Sequence, residues 1–196
     1  TFSSTANPGD SNEHIYGLFD QEIPQEVVSA KQLDESTMPS YYPAVGYDPQ
    51  SQRFLVAWED TRGGANTKIY GQIVLSGSGL YNSNSLITYQ DTNNDGSQDS
   101  NIANSKQTKP FISYDSVNQR FFVIWQDARN GSVSLENLDI YGQYVNSEGS
   151  PSGTNYSINI AEANQYNPTI AYNSTVNQFL AVWKDARNYS STASDI

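Results

Sequence analysis

Three copies of one nine-residue stretch limit what this chain can fold into more than any other feature. They are Phe54-Leu55-Val56-Ala57-Trp58-Glu59-Asp60-Thr61-Arg62, Phe121-Phe122-Val123-Ile124-Trp125-Gln126-Asp127-Ala128-Arg129 and Phe179-Leu180-Ala181-Val182-Trp183-Lys184-Asp185-Ala186-Arg187. Each opens with five apolar residues, too short a run for a helix and rich in aromatic and β-branched types, so each reads as a strand buried on both faces. A proline-to-tyrosine segment precedes every copy (Pro43 to Tyr47, Pro110 to Tyr114, Pro168 to Tyr172), and the tryptophan always follows its proline by fifteen positions. Constant spacing makes these two strands and the polar turn between them, such as Asp48-Pro49-Gln50-Ser51, one fixed unit, with proline expected at the first residue of its strand.

A third repeated element, Ile-Tyr-Gly, occurs at 15–17, 69–71 and 140–142, and beyond its glycine apolar and polar residues alternate, as in Gln143-Tyr144-Val145-Asn146. A weaker fourth strand is expected at Tyr156 to Ile160, with Glu26-Val27-Val28 as a counterpart earlier in the chain. Four short strands per repeat and no helical periodicity predict an all-β chain of β-propeller-type blades, about three four-stranded antiparallel repeats. The alternative is a two-sheet sandwich, whose strands alternate in burial more cleanly than these do.

The expected boundaries are an N-terminal extension at 1–13, strands three and four of a blade at 14–42, one repeat at 43–109, another at 110–167, and strands one and two of the next blade at 168–196. The N- and C-terminal parts are thus complementary halves of one blade, and Asp195-Ile196 begins what would be a fourth Asp-Ile-Tyr-Gly. Propellers close with four to eight blades. The expectation is therefore self-association into a six-blade dimer or a head-to-tail filament, or else the remainder of a longer chain.

The repeat at 43–109 carries thirteen extra residues, assigned to an inserted loop at 88–101. Within them Asp91-Thr92-Asn93-Asn94-Asp95-Gly96-Ser97-Gln98-Asp99 follows a calcium-loop spacing. Oxygen donors at Asp91, Asn93 and Asp95 wrap one side of a hard cation, and Gly96 permits the turn that lets the Ser97 carbonyl and Asp99 complete the other. The loop is similar to those of dockerins and thrombospondin type 3 repeats, which implies a structural calcium ion. It departs from the EF-hand pattern at position twelve, where Ile102 replaces glutamate.

Net charge of −11 and a pI near 4.3 leave no basic cluster to neutralise phosphates, which argues against a nucleic-acid binder. No apolar run is long enough to insert in a membrane, and there is no cysteine for a disulfide or a thiolate metal site. His14 is the sole histidine, which leaves no basis for a Ser-His-Asp triad or a His-based zinc site. Glu13, Asp20, Glu22, Glu26, Asp34 and Glu35 make the first third acidic, but nothing in the sequence sets two carboxylates opposite each other for glycoside hydrolysis. Sequons begin at Asn130, Asn155, Asn173 and Asn188, in a chain where asparagine and serine are common.

Catalytic residues are needed once, whereas Trp58/Asp60/Arg62, Trp125/Asp127/Arg129 and Trp183/Asp185/Arg187 recur at one offset. The expected role is scaffold: each aspartate accepts backbone N–H groups at the strand end and each arginine pairs with a carboxylate. The competing expectation is that these pairs line one face and bind sugars or a protein.

Together, Pro-x-Ile-x-Tyr, Phe-Leu-x-Val-Trp-x-Asp-x-Arg and Asp-Ile-Tyr-Gly-Gln resemble tandem repeats of large secreted or cell-surface proteins of bacteria and archaea. The resemblance covers nearly the whole chain after residue 13 and departs at His14, Leu18 and the inserted loop. It implies a propeller-like fold and an extracellular or cell-surface location, and carries over no catalytic residue. Sialidase propellers are a weaker analogy, since their Ser-x-Asp-x-Gly-x-x-Trp box is missing. The functional expectation is a non-enzymatic, calcium-stabilised structural or adhesive repeat protein. The alternatives are a glycan- or protein-binding propeller module and, third, a glycoside hydrolase.

Overall fold

The computed structural model describes residues 12–17, 31–76, 79–131 and 137–187. Its strands are β1 (Tyr16–Gly17), β2 (Lys31–Gln32), β3 (Ser40–Asp48), β4 (Arg53–Asp60), β5 (Lys68–Leu75), β6 (Gly79–Leu86), β7 (Gln107–Asp115), β8 (Arg120–Asp127), β9 (Asp139–Val145), β10 (Pro151–Asn159), β11 (Gln165–Asn173) and β12 (Gln178–Asp185), with one short helix, α1 (Ser100–Ala103). β3-β4-β5-β6 and β7-β8-β9-β10 are four-stranded antiparallel sheets in chain order, while β1-β2 and β11-β12 are two-stranded. The expected counterpart strand at Glu26 to Val28 lies outside the described residues.

Residues on one face of a strand alternate with those on the other, and here both faces of the tryptophan strand find apolar partners. One face of β4 turns Val56 and Trp58 toward the β1-β2 pair, where Ile15 and Leu33 complete a cluster with Val74. Its other face gives Leu55 and Ala57 to a core shared with Phe121, Val123 and Trp125 of β8. Phe122 and Ile124, on the far face of β8, then pack with Ile170, Phe179 and Ala181 of the β11-β12 pair. The sheets are therefore stacked like leaves. Trp58 and Trp125 are both 0% exposed.

Polar links recur at each junction. The backbone N–H groups of Ser40, Gln107 and Gln165 donate to the carbonyls of Glu13, Thr67 and Leu138 at 2.7, 2.9 and 2.7 Å. Asn167 N–H donates to Gln126 Oε1 of the preceding sheet at 2.7 Å. Glu59, in the matching position, takes the N–H of Lys109; burial pushes its pKa up and this bond pulls the other way. Gly46 marks the closest approach, since a Cβ there would stand 2.6 Å from Ile112 Cγ2 on the next sheet.

Two expectations need correction. The prolines do not start their strands: Pro43, Pro110 and Pro168 sit at register shifts inside β3, β7 and β11. Proline has no N–H for the ladder, and the bulge removes that demand. The residue ahead of each proline, Tyr42, Lys109 or Asn167, takes a left-handed φ of 52°, 51° or 49° within the bulge. The polar residue after Ile-Tyr-Gly is enclosed: Gln72 is 1% and Gln143 0% exposed. Finally, β12 is not buried on both faces, since Leu180 is 68% exposed; burial of this strand requires a sheet on each side, and among the described residues β12 has one on a single side.

Candidate functional site

The repeated motif side chains converge on one network per sheet. Tryptophan and aspartate stand two apart on a strand, hence on the same face, and the indole N–H donates to the carboxylate: Trp58 to Asp60 Oδ2 at 2.9 Å, Trp125 to Asp127 Oδ2 at 2.7 Å, and Trp183 to Asp185 Oδ2 at 3.4 Å. The chain turns just past the aspartate, so the arginine returns over it. Asp127 receives the Arg129 backbone N–H at 2.9 Å, Nε at 3.0 Å and Nη2 at 2.6 Å. Asp60 receives the same three groups of Arg62, each at 2.8 Å. The guanidinium then stacks on the tyrosine of Ile-Tyr-Gly, 4.0 Å from the Tyr70 ring centroid for Arg62 and 3.9 Å from that of Tyr141 for Arg129.

Two further residues complete the network: Asn84 was not singled out from the sequence, and Asn155 was named only as the start of a sequon. Arg62 Nη2 donates to Asn84 Oδ1 at 3.0 Å, and Arg129 Nη2 to Asn155 Oδ1 at 2.8 Å. Those asparagines donate in turn to Gln72 Oε1 and Gln143 Oε1, both at 2.7 Å. Gln72 Nε2 reaches the Ile73 and Tyr81 carbonyls at 2.8 and 2.9 Å; Gln143 Nε2 reaches those of Tyr144 and Ser152 at 3.1 and 2.8 Å. The second, third and fourth strands of each four-stranded sheet are thus tied through one polar chain. The signal was present as spacing, since each asparagine follows its glutamine by twelve positions. The third motif copy is looser: Arg187 Nε bonds Asp185 at 2.9 Å with the arginine side chain 55% exposed.

The inserted residues form a surface loop anchored at its base. Ile102, at the position where an EF-hand has glutamate, is 0% exposed and belongs to α1. The Asp99 N–H donates to the Gln90 carbonyl at 2.8 Å, closing the loop. Asp91 Oδ2 accepts the Gly96 N–H at 2.8 Å, its Oδ1 accepts the Asp95 N–H at 3.2 Å, and Asp95 Oδ1 accepts the Ser97 N–H at 2.8 Å. Gly96 has φ +83°, the left-handed turn expected of it. Asp99 turns instead to Thr92 N–H at 3.0 Å and Gln90 Nε2 at 3.0 Å, and those bonds, Thr92 first, hold its pKa below the usual value. Asn93, Asp95, Ser97 and Asp99 line a recess of 530 Å³. Among the described residues no three His, Cys, Asp or Glu side chains converge as a ligand group.

Of the remaining candidates, the described ones make local contacts. His14 Nδ1 lies 3.2 Å from Asp34 Oδ1, and Asp34 Oδ2 also accepts the Ile15 N–H at 3.0 Å. Glu35 Oε2 accepts the Asn84 N–H at 3.3 Å. Asp20, Glu22, Glu26 and the sequon at Asn188 lie outside the described residues. The sequon asparagine Asn130 is engaged, donating to Asp139 Oδ2 at 2.7 Å and the Tyr141 hydroxyl at 2.9 Å. No helix among the described residues is long and apolar enough to cross a membrane.

Neither a protein-family model nor a curated protein matches the sequence. The fold is similar to a solved Penicillium chrysogenum alpha-L-arabinanase complexed with arabinobiose, with a TM-score of 0.53 and 10% identity over 89% of this chain and 50% of that one. That protein is a five-bladed β-propeller. The chain spans about half the length of this neighbour, and the likeness is one of fold. A propeller-like arrangement of antiparallel sheets is therefore common to the two.

Proposed function

We propose that this chain is a non-enzymatic structural or adhesive module of an extracellular or cell-surface protein, built of propeller-type blades and stiffened by calcium in the loop at 88–101. The observation that carries this reading is the enclosure of the motif carboxylates. Asp60 and Asp127 are 0% exposed, and their oxygens are committed to an indole, a backbone N–H and a guanidinium. A carboxylate so engaged serves neither as nucleophile nor as proton carrier, and the same arrangement occurs in both four-stranded sheets. In the loop, the carboxylates of Asp91 and Asp95 with the Asn93 side chain and the Ser97 carbonyl would supply oxygen donors to a hard cation, with water completing the shell.

Incubation with arabino-oligosaccharides and a panel of aryl glycosides is expected to release no product, and release abolished by substituting one carboxylate would defeat the reading. Calorimetric titration with calcium is expected to show one site, lost in Asp91→Ala and Asp95→Ala. A second reading, glycan binding without hydrolysis, is favoured by one feature: a 590 Å³ cleft between the loop and β10, lined by Tyr89, Gln90, Asp91, Asn94 and Thr154. An aromatic ring beside amide and hydroxyl groups suits a sugar. Binding of oligosaccharides lost in Tyr89→Ala would select that reading.

A further inference from the structure

Equivalent positions in the three motif copies differ sharply in exposure, and the differences fall on two faces. On the face of the tryptophan strand that looks toward the following sheet, Leu55 and Phe122 are 0% and 7% exposed, while their counterpart Leu180 is 68% exposed. Ala57 and Ile124 are both 0% exposed, against 39% for Val182. On the face that looks toward the preceding sheet, Ile112 and Ile170 are each 6% exposed, and their counterpart Val45 is 52% exposed. The β1-β2 pair covers part of this second face through Ile15 and Leu33 on Val56, Trp58 and Val74, but leaves the β3 side bare.

Each bare face is the mate of the other. At the junction between the two four-stranded sheets, Leu55 and Ala57 share a core with Ile112, the counterpart of Val45. At the next junction Phe122 and Ile124 share one with Ile170. The Leu180/Val182 face is the third example of the first type of surface, and the Val45 face the remaining example of the second. Both stand open on the same molecule.

We propose that a second copy of this chain docks its Val45 face against the Leu180/Val182 face, repeating the internal junction between molecules. The docked β12 then lies beside the partner's β1-β2 pair, in the place β4 takes beside β5 and β6, and the two pairs together make a four-stranded sheet shared by two chains. The contact is heterologous, so it propagates until it closes on itself or grows as a filament. The proposal extends the structural reading above and rests on its inter-sheet packing; absence of sugar release would not rescue it, and sugar release would not refute it.

Sedimentation over micromolar to millimolar concentration tests it, with Leu180→Lys and Val45→Lys as the variants. Lysine makes the net charge less negative, so lost association cannot be charge repulsion. Both positions face solvent in the single chain, and unchanged circular dichroism confirms folding. The wild type is expected to form species of two or more chains, and each variant to associate roughly 30-fold more weakly or less. An equimolar mixture of the two variants is expected to recover a two-chain species and nothing larger, because it retains one intact junction. A wild type that sediments throughout as a single 21.7 kDa chain, variants that associate like the wild type, or a mixture that stays single-chain would each overturn the proposal.

Discussion

Replacing Asp127 with asparagine probes the network where it is most enclosed. The Asp127 side chain is 0% and that of Arg129 5% exposed, with 2.6 Å between Oδ2 and Nη2. Asparagine keeps the shape but removes the charge, leaving a guanidinium in low dielectric without its counterion. Breaking a buried pair from one side costs about 3–5 kcal/mol. For a chain of this length, at about 2–4 °C per kcal/mol, the melting temperature should fall by roughly 6–20 °C. The same change at Asp185 meets Arg187, whose side chain is 55% exposed, and surface pairs are worth about 1 kcal/mol or less. Asp60 lies between, with Arg62 at 26%. Urea denaturation followed by circular dichroism should therefore rank the losses Asp127→Asn, Asp60→Asn, Asp185→Asn. The double variant Asp127→Asn/Arg129→Met should recover part of the loss, since the stranded charge is gone. Equal losses at all three positions, or a double variant as unstable as the sum of its parts, would refute the enclosure of the charge as the cause.

Other outcomes follow from different parts of the molecule. Gly46→Ala places a methyl 2.6 Å from Ile112 Cγ2 and should cost about 1–3 kcal/mol by overpacking the inter-sheet core, measured by the same denaturation. Burial pushes the Lys68 pKa down to about 8, with nearby Asp127 and Arg129 opposing and adding to it respectively, and its ammonium donates to the Ser105 carbonyl. Between about pH 8 and its ordinary value the unfolded chain holds a proton that the folded chain has released, so stability should rise with pH across that window; Lys68→Met should flatten the rise. Calcium should slow proteolysis within 88–101, and chelation should reverse this, with Asp95→Ala indifferent to either treatment.

Much of the architecture was legible because it is written more than once. Phe-to-Trp strands, Ile-Tyr-Gly strands and the insertion between repeats all appear where their spacing put them, with the fourth strand of the first repeat added at Gly79–Leu86. That strand, with its Asn-Ser-Asn-Ser stretch at 82–85, has no apolar alternation to announce it, and the partner it supplies, Asn84, went unseen with it, while the counterpart Asn155 stood out only as a sequon. Gln72 and Gln143 look like solvent-facing alternation until the asparagine that needs their amides is in view. The bulges at Pro43, Pro110 and Pro168 were hidden for another reason: proline is compatible with a strand start and with a bulge, and the pairing register alone tells them apart. The exposure of Leu180 was beyond reach of composition, because burial of that residue is a property of the neighbouring sheet. In the loop, the spacing led to the turn at Gly96 but not to the capture of Asp99 by Thr92 and Gln90, which depends on a residue just ahead of the motif.

The three indole N–H signals offer the most direct test that the tryptophans are interior scaffold. After transfer of the folded chain to heavy water, those of Trp58 and Trp125, each bonded to a fully buried aspartate, should persist as long as the slowest backbone amides of β4 and β8. The Trp183 signal, with its longer 3.4 Å bond at the edge of the stack, should be lost first. Immediate loss of all three would mean that the motif faces water, and that the sheets are not stacked through it.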